Sequence, residues 1–276
     1  MRSTPDSRID LREKNMPGLL ENKVVIISGV GPGMGQAMAR IAAAEGARVG
    51  LGARNGDFID QVAGEIRANG GEAVAVPTDV GDADQCAALA QATADAFGRI
   101  DGLVNTAYVH GEWVTVDEAD PEDWARVFDV NCLGALRMTQ AVLPAMKAAG
   151  GGAVVNVATM SQVNPFPGEG GYATGKGGLT TMTRHMAKDL GRFGIRVNAT
   201  RMGWIGGKPV HDYIDRAVAD GADRDAVIGE ITSRIPLGVI PPEADCAKSV
   251  LFFLSDYAKM VTGATLDVNG GQYMAP

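Results

Sequence analysis

Cysteine is scarce in this chain. Cys86, Cys132 and Cys246 are three in 276 residues, odd in number and far apart. That spacing excludes a disulfide framework and a cysteine-built metal site, and it fits a reducing, cytoplasmic compartment. Histidine is as rare. His110, His185 and His211 stand alone, so no metal-ligand cluster is visible and each reads as structural or solvated. No apolar run approaches the length of about 20 residues that crosses a bilayer. Residues 1–22 carry charges throughout, which excludes a signal peptide or membrane anchor. They read as an extension ahead of the fold and are expected to be disordered. Positive charge is also short: 25 Lys and Arg stand against 33 Asp and Glu, a formal charge of −8. Nucleic acid and anionic membranes are thereby excluded as main partners. An anionic ligand would need helix N-termini or local basic groups.

Glycine is plentiful, at 37 residues. The apolar run Lys23–Ser28 predicts a strand buried on both faces. It enters Gly29-Val30-Gly31-Pro32-Gly33-Met34-Gly35 and then a helical pattern from Gln36 to Glu45. Strand, glycine turn and helix N-terminus together make a phosphate site, because amides converge there and the helix dipole favours an anion. Ala47–Gly52 is a second strand, closed by Ala53 and Arg54. In a doubly wound sheet this end meets an adenosine ribose. Ala53 removes the carboxylate that would hold a 2′-hydroxyl, and Arg54 suits a 2′-phosphate. Strands at 73–76, 101–104, 153–157, 195–199 and 265–268 alternate with helical patterns, including a long helix from Pro121 through Asn131 towards Met146. The stretch 203–242 reads as less regular. This alternation predicts one α/β domain over 23–276, a parallel sheet with helices on both faces.

Tyr172 and Lys176 lie four residues apart, one helical turn on one face. A free phenol has a pKa of about 10, and a nearby ammonium favours its ionised form. A three-unit shift needs roughly 4 kcal/mol, at 1.36 kcal/mol per unit. That is much for one lysine, so a second positive group such as an oxidised nicotinamide ring is an attractive complement.

Taken in order, these residues resemble the short-chain dehydrogenase/reductase family over roughly 23–275. Ser28-Gly29, Gly33, Met34 and Gly35 resemble its cofactor loop. Asp79-Val80 resembles the pair that contacts adenine. Asn131 matches the asparagine of a proton-relay water, Tyr172 and Lys176 match the catalytic pair, and Asp267–Gly271 resembles the closing segment. Three departures stand out. The family's Asn-Asn-Ala-Gly turn is Asn105-Thr106-Ala107-Tyr108, with a ring in place of glycine. Its Pro-Gly is Met202-Gly203. Its catalytic serine, thirteen residues before the tyrosine, is Thr159, with Ser161 two residues on.

The resemblance implies a Rossmann-like, doubly wound parallel sheet and an NAD(P)-dependent oxidation of a secondary alcohol or reduction of a ketone. Tyr172 would move the proton, Lys176 would tune it and hold the nicotinamide ribose, Thr159 would orient the substrate oxygen, and Asn131 would link Lys176 to solvent. Asn105, Ala107, Gly203 and Ile205 would join the cofactor site, with NADP(H) favoured by Arg54 and NAD(H) usable. Met160, Ser161, Phe166 and Trp204 would touch the substrate, with Pro165, Met202 and Ile205 adding apolar lining that suits a hydrophobic or alicyclic molecule. A homotetramer is expected, then a dimer, with the helices bearing Asn131 and Tyr172 at the subunit contact. The alternatives are a member of the same fold that binds a dinucleotide without turnover, and a longer epimerase or dehydratase, for which 276 residues leave little room.

Overall fold

The computed structural model describes residues 18–275. Seven parallel strands form one sheet in the order β3-β2-β1-β4-β5-β6-β7. They are β1 (Val24–Ser28), β2 (Arg48–Ala53), β3 (Ala73–Pro77), β4 (Gly102–Asn105), β5 (Gly152–Thr159), β6 (Ile195–Met202) and β7 (Thr265–Val268). Parallel neighbours need crossover helices, and right-handed crossovers place them on the two faces. One face carries α1 (Met34–Ala44), α2 (Gly56–Ala68) and α9 (Glu243–Phe252); the other carries α3 (Ala83–Phe97), α5 (Gly134–Ala148) and α6 (Gly170–Leu190). Each face buries its own apolar cluster, with Ile27, Val49, Ile59 and Val250 in one and Ile26, Leu89, Met138 and Val197 in the other. Strand order reverses between β1 and β4, where Ser28 pairs with Asn105. In such sheets the crevice beyond the strand ends at the reversal is the ligand site.

The structure departs from the sequence reading in several places. Leu20 is fully buried in the first cluster, and its amide donates to Glu45 O at 3.0 Å. Gly18 to Asn22 therefore close the fold; the rest of the expected extension lies outside the described residues. The long helix from Pro121 is interrupted: α4 (Pro121–Phe128) passes through a π turn, Asp129–Leu133, into α5. A π turn inserts one residue and rotates the side chains that follow. The stretch 203–242 holds two helices, α7 (Lys208–Ala219) and α8 (Arg224–Ser233), whose small core joins Ile214, Ile231 and Ile235 to Trp204. Helix α7 is amphipathic but follows the glycines at the entry, and α8 carries almost no hydrophobic periodicity to announce it. Strands β5 and β6 run on to Thr159 and Met202, which pair in register.

Helices α4 and α6 meet closely within the chain. A Cβ at Gly170 would fall 2.7 Å from Trp124 Cζ2, and one at Gly171 would fall 3.0 Å from Trp124 Cδ1. Only glycine admits the indole there, and that contact sets where the first turn of α6, and so Tyr172, begins.

Candidate active site

At the end of β1 the chain turns through Gly29 with φ +108°, and a Cβ there would strike Ala107 N at 2.2 Å. The amides of Thr106 and Ala107 both donate to Ser28 O at 2.9 Å, tying the β4 turn to the glycine loop. Gly33 caps α1 with no side-chain partner, and the first turn of α1 holds no acidic residue. Gly35 is buried so tightly that a Cβ would lie 2.4 Å from Gly29 O. Free amides, a dipole end and the close backbone approach fit a pyrophosphate. Arg54 is exposed at the end of β2. Asp79 turns its carboxylate onto Gly81 N at 2.9 Å, while Val80 is buried against Gly134.

Asn105 stands differently from expectation. Its amide is committed to Asn156 Oδ1 at 2.9 Å inside the sheet, so its side chain braces β4 on β5. Gly203 N donates to Val268 O at 3.2 Å, which continues the ladder, and Ile205 packs against the first cluster. Met202 also belongs to that buried cluster and lines no crevice.

Thr159, Tyr172 and Lys176 converge at the end of β5. The Thr159 hydroxyl, at the end of β5, favours the ionised form of the Tyr172 phenol. Lys176 is buried, and its Nζ donates to Val157 O at 2.8 Å. Burial raises the phenol well above its ordinary value, with Tyr108 and Glu169 adding to the rise and Thr159 opposing it. Burial also lowers Lys176 to about 7. Here the expected electrostatics are corrected: desolvation outweighs the lysine, and the protein's own groups hold Tyr172 as a neutral phenol.

The sequence reading missed the ring system around the phenol. His110 stacks on Tyr172 with centroids 4.3 Å apart and planes 19° apart. Trp113 stacks on His110 at 5.0 Å, and Tyr108 meets Tyr172 edge-on at 6.0 Å. Burial first, then the Lys176 charge, lowers the His110 pKa. His110 is therefore part of the site, and not the isolated residue it seemed; His185 and His211 are exposed. The residue that places these rings is Asn131. Its Oδ1 accepts from Val109 N at 2.8 Å and its Nδ2 donates to Val109 O at 2.9 Å. The Asn131 side chain thus holds the backbone between Tyr108 and His110. Tyr108, the ring in place of glycine, points at the catalytic pair, with Lys176 Nζ 6.0 Å from its centroid. Phe166 meets Trp113 edge-on at the rim, and Trp204 leans on Tyr213 at 5.4 Å. Met160 follows Thr159 and is partly buried, with its sulfur against Gly203. Glu169 was also missed; its Oε2 accepts from the Ser161 hydroxyl.

A doubly wound sheet with a phosphate loop at one strand end and a tyrosine–lysine pair at another defines an NAD(P)-dependent oxidoreductase acting on CH–OH and C=O groups. The chain belongs to the short-chain dehydrogenase/reductase family. The family description that matches residues 29–272 reads enoyl-(acyl carrier protein) reductase. Among relatives, an uncharacterized oxidoreductase YxbG of Bacillus subtilis is 35% identical, covering 92% of each chain. The 3-oxoacyl-(acyl-carrier-protein) reductase FabG of Thermotoga maritima is 33% identical over 91% of this chain and 98% of its own. Levodione reductase superposes with a TM-score of 0.84 at 30% identity, over 92% of this chain and 98% of its own. No helix among the described residues is long and apolar enough to cross a membrane, and they hold no His, Cys, Asp and Glu cluster suited to a metal.

Proposed function

We propose that the protein interconverts a hydrophobic secondary alcohol and its ketone, with Tyr172 as acid and base. The observation that carries this reading is the placing of Tyr172 and Lys176 one turn apart on α6 against the end of β5, where Lys176 Nζ donates to Val157 O two residues before Thr159. NAD(P)(H), when bound, supplies or accepts the hydride. The amides at the N-terminus of α1 would hold its pyrophosphate and Lys176 its nicotinamide ribose. Arg54 would clamp a 2′-phosphate, so NADP(H) is favoured and NAD(H) remains usable. In reduction, neutral Tyr172 donates its proton to the substrate oxygen; in oxidation, the phenolate takes it back. Thr159 orients that oxygen and stabilises its charge. Asn131 serves the site by fixing Val109 and the two rings beside it.

The aromatic rim of Trp113, Phe166 and Tyr108 supports an apolar or alicyclic substrate over a sugar or phosphate ester. The FabG relatives act on 3-oxoacyl groups by their names, which keeps acyl-chain ketones in the same class. We place the protein in the cytoplasm as one domain that includes Gly18 to Asn22 ahead of β1, and we propose a homotetramer, which light scattering at micromolar concentration tests. A cofactor-coupled screen over aliphatic, alicyclic and aromatic ketones tests the activity. Absence of turnover with any of them, with cofactor bound, would instead favour a non-catalytic dinucleotide-binding protein.

A further inference from the structure

Glu169 lies three residues before Tyr172, at the entry to α6, and residues three apart on a helix are neighbours on one face. Its Oε2 accepts from the Ser161 hydroxyl at 2.5 Å, and Ser161 Oγ lies 3.2 Å from Thr159 Oγ1 at the end of β5. The carboxylate therefore stands at the crevice that holds the phenol. Its other oxygen, Oε1, has no hydrogen-bond partner among the described residues, and no basic side chain among them forms an ion pair with it. Glu169 is half-buried, and a carboxylate withdrawn from water is ordinarily met by a cation, because burial without one costs free energy. Burial does hold Glu169 above the ordinary carboxylate range, with the Ser161 hydrogen bond opposing.

Aromatic rings run from the phenol round to this carboxylate. His110 lies on Tyr172, and Trp113 lies on His110. The Trp113 edge presses on Gly168 so closely that a Cβ there would fall 2.4 Å from Cδ1. Gly168 directly precedes Glu169. Phenol, imidazole, indole and carboxylate thus form one rim, which Phe166 extends edge-on from Trp113 at 6.3 Å. Tyr108, Trp113 and Phe166 keep 45, 55 and 42% of their surface exposed. Open ring surfaces near a carboxylate are the chemistry that holds a quaternary or protonated amine. The site's own positive charge lies elsewhere. Lys176 is seven residues past Glu169, about 10 Å along the axis at 1.5 Å per residue, and its Nζ is committed to Val157 O.

We propose that the substrate is an amino ketone or amino alcohol, and that Glu169 is the specificity-determining residue that binds its cationic nitrogen. This rests on the reading of Tyr172 given above and narrows it: the alicyclic body carries a positive charge close to the reacting carbon. With its carbonyl at Tyr172, such a molecule extends its cation towards Glu169 and the ring surfaces, away from Lys176. The cation in turn favours the ionised carboxylate and supplies the counter-charge that Glu169 lacks.

The test compares two ketones of one shape, 1,1-dimethyl-4-oxopiperidinium and 4,4-dimethylcyclohexanone, with the full chain and saturating NADPH. The first is permanently charged and the second is neutral. Parent kcat/KM should be at least about tenfold higher for the cation, with the difference carried by KM. Glu169→Gln keeps an acceptor for Ser161 but removes the charge, and should bring that ratio close to one. Glu169→Asp should retain a preference for the cation. The ratio cancels any change in folding or phenol acidity that both ketones share. Calorimetric titration of the piperidinium into the chain saturated with NADP⁺, where the ketone cannot be reduced, should give a Kd about tenfold weaker in Glu169→Gln. Equal use of both ketones by the parent, or a preference that survives in Glu169→Gln, would overturn the proposal and leave the catalytic reading standing. Where the parent reduces neither ketone, the calorimetry decides: binding that depends on Glu169 supports the cation site, and binding that does not, or none, overturns it. A broad ketone screen without turnover would remove the catalytic reading separately.

Discussion

The His110 imidazole lies flat on the Tyr172 phenol ring, 4.3 Å between centroids. Stacking of this kind fixes the plane of the phenol and leaves its hydroxyl one direction in which to point. The imidazole is held in turn by Val109, whose amide and carbonyl are both bonded to Asn131. A residue one π turn along a helix therefore sets the orientation of a phenol on another helix.

Replacing Asn131 by alanine should test that linkage. It leaves the Val109 amide and carbonyl without partners, a cost of about 1–3 kcal/mol for a buried group. The melting temperature should fall and kcat should fall with it, while cofactor affinity stays near the parent value. An unchanged kcat in a folded variant would show that the ring stack does not orient the phenol.

Lys176 gives a pH signature of stability. Its pKa is about 7 in the folded chain, where burial disfavours the charge, against the ordinary 10.5 in the unfolded chain. Between these values the unfolded state binds the extra proton, so unfolding free energy rises with pH across that window. Above about pH 10 the unfolded tyrosines ionise while buried Tyr172 stays protonated, which lowers stability again. Denaturant titrations should show the parent gaining a few kcal/mol relative to Lys176→Met from pH 7 to 10, at 1.36 kcal/mol per unit. A pH-independent difference would mean that Lys176 is not desolvated.

Thr159, and not Ser161, is the hydroxyl we assign to the substrate oxygen. Thr159→Ala should lower kcat by about a hundredfold, the scale of one lost stabilising donor. Thr159→Ser keeps the hydroxyl and should be tolerated, and Ser161→Ala should cost less than Thr159→Ala. Steady-state kinetics giving the reverse ranking of the two alanine variants would move the role to Ser161.

Arg54 is exposed at the end of β2, next to Ala53. Arg54→Ala should weaken NADP(H) binding several-fold and leave NAD(H) almost unchanged, since one charged hydrogen bond contributes about 1.5–3 kcal/mol before desolvation. Titration calorimetry with each cofactor checks this. Equal losses would remove Arg54 from the 2′-phosphate site.

The sheet was legible because β1 is an unbroken apolar run up to Ser28 and Ala153–Val155 repeats the pattern in β5, as burial on both faces requires. Strand β6, broken by Arg196, Asn198 and Arg201, was legible from its place in the alternation. The phosphate loop and the Tyr172–Lys176 spacing were legible because local geometry needs those residues at those intervals. The sequence hid what depends on contacts between distant segments. His110 reaches Tyr172 only through the π turn that Asn131 occupies, and a one-residue helical insertion leaves no periodic trace. Glu169 meets the Ser161 hydroxyl only because the turn after β5 brings Ser161 beside the start of α6. Asn105 matched a cofactor motif, yet its amide nitrogen donates inside the sheet to Asn156 while its buried Oδ1 finds no partner among the described residues. Helix α7 was obscured by Gly203, Gly206 and Gly207, which read as loop, and α8 by its lack of hydrophobic periodicity.

The central claim is that the Tyr172 phenol moves the proton of the reaction. The most direct measurement is single-turnover reduction by Tyr172→Phe with NADPH prebound, alongside the cofactor dissociation constant of the same variant. The account predicts a rate at least about a hundredfold below the parent, the scale of a lost general acid, with cofactor affinity unchanged. A phenylalanine variant that keeps more than about a tenth of the parent rate when chemistry is limiting would contradict it.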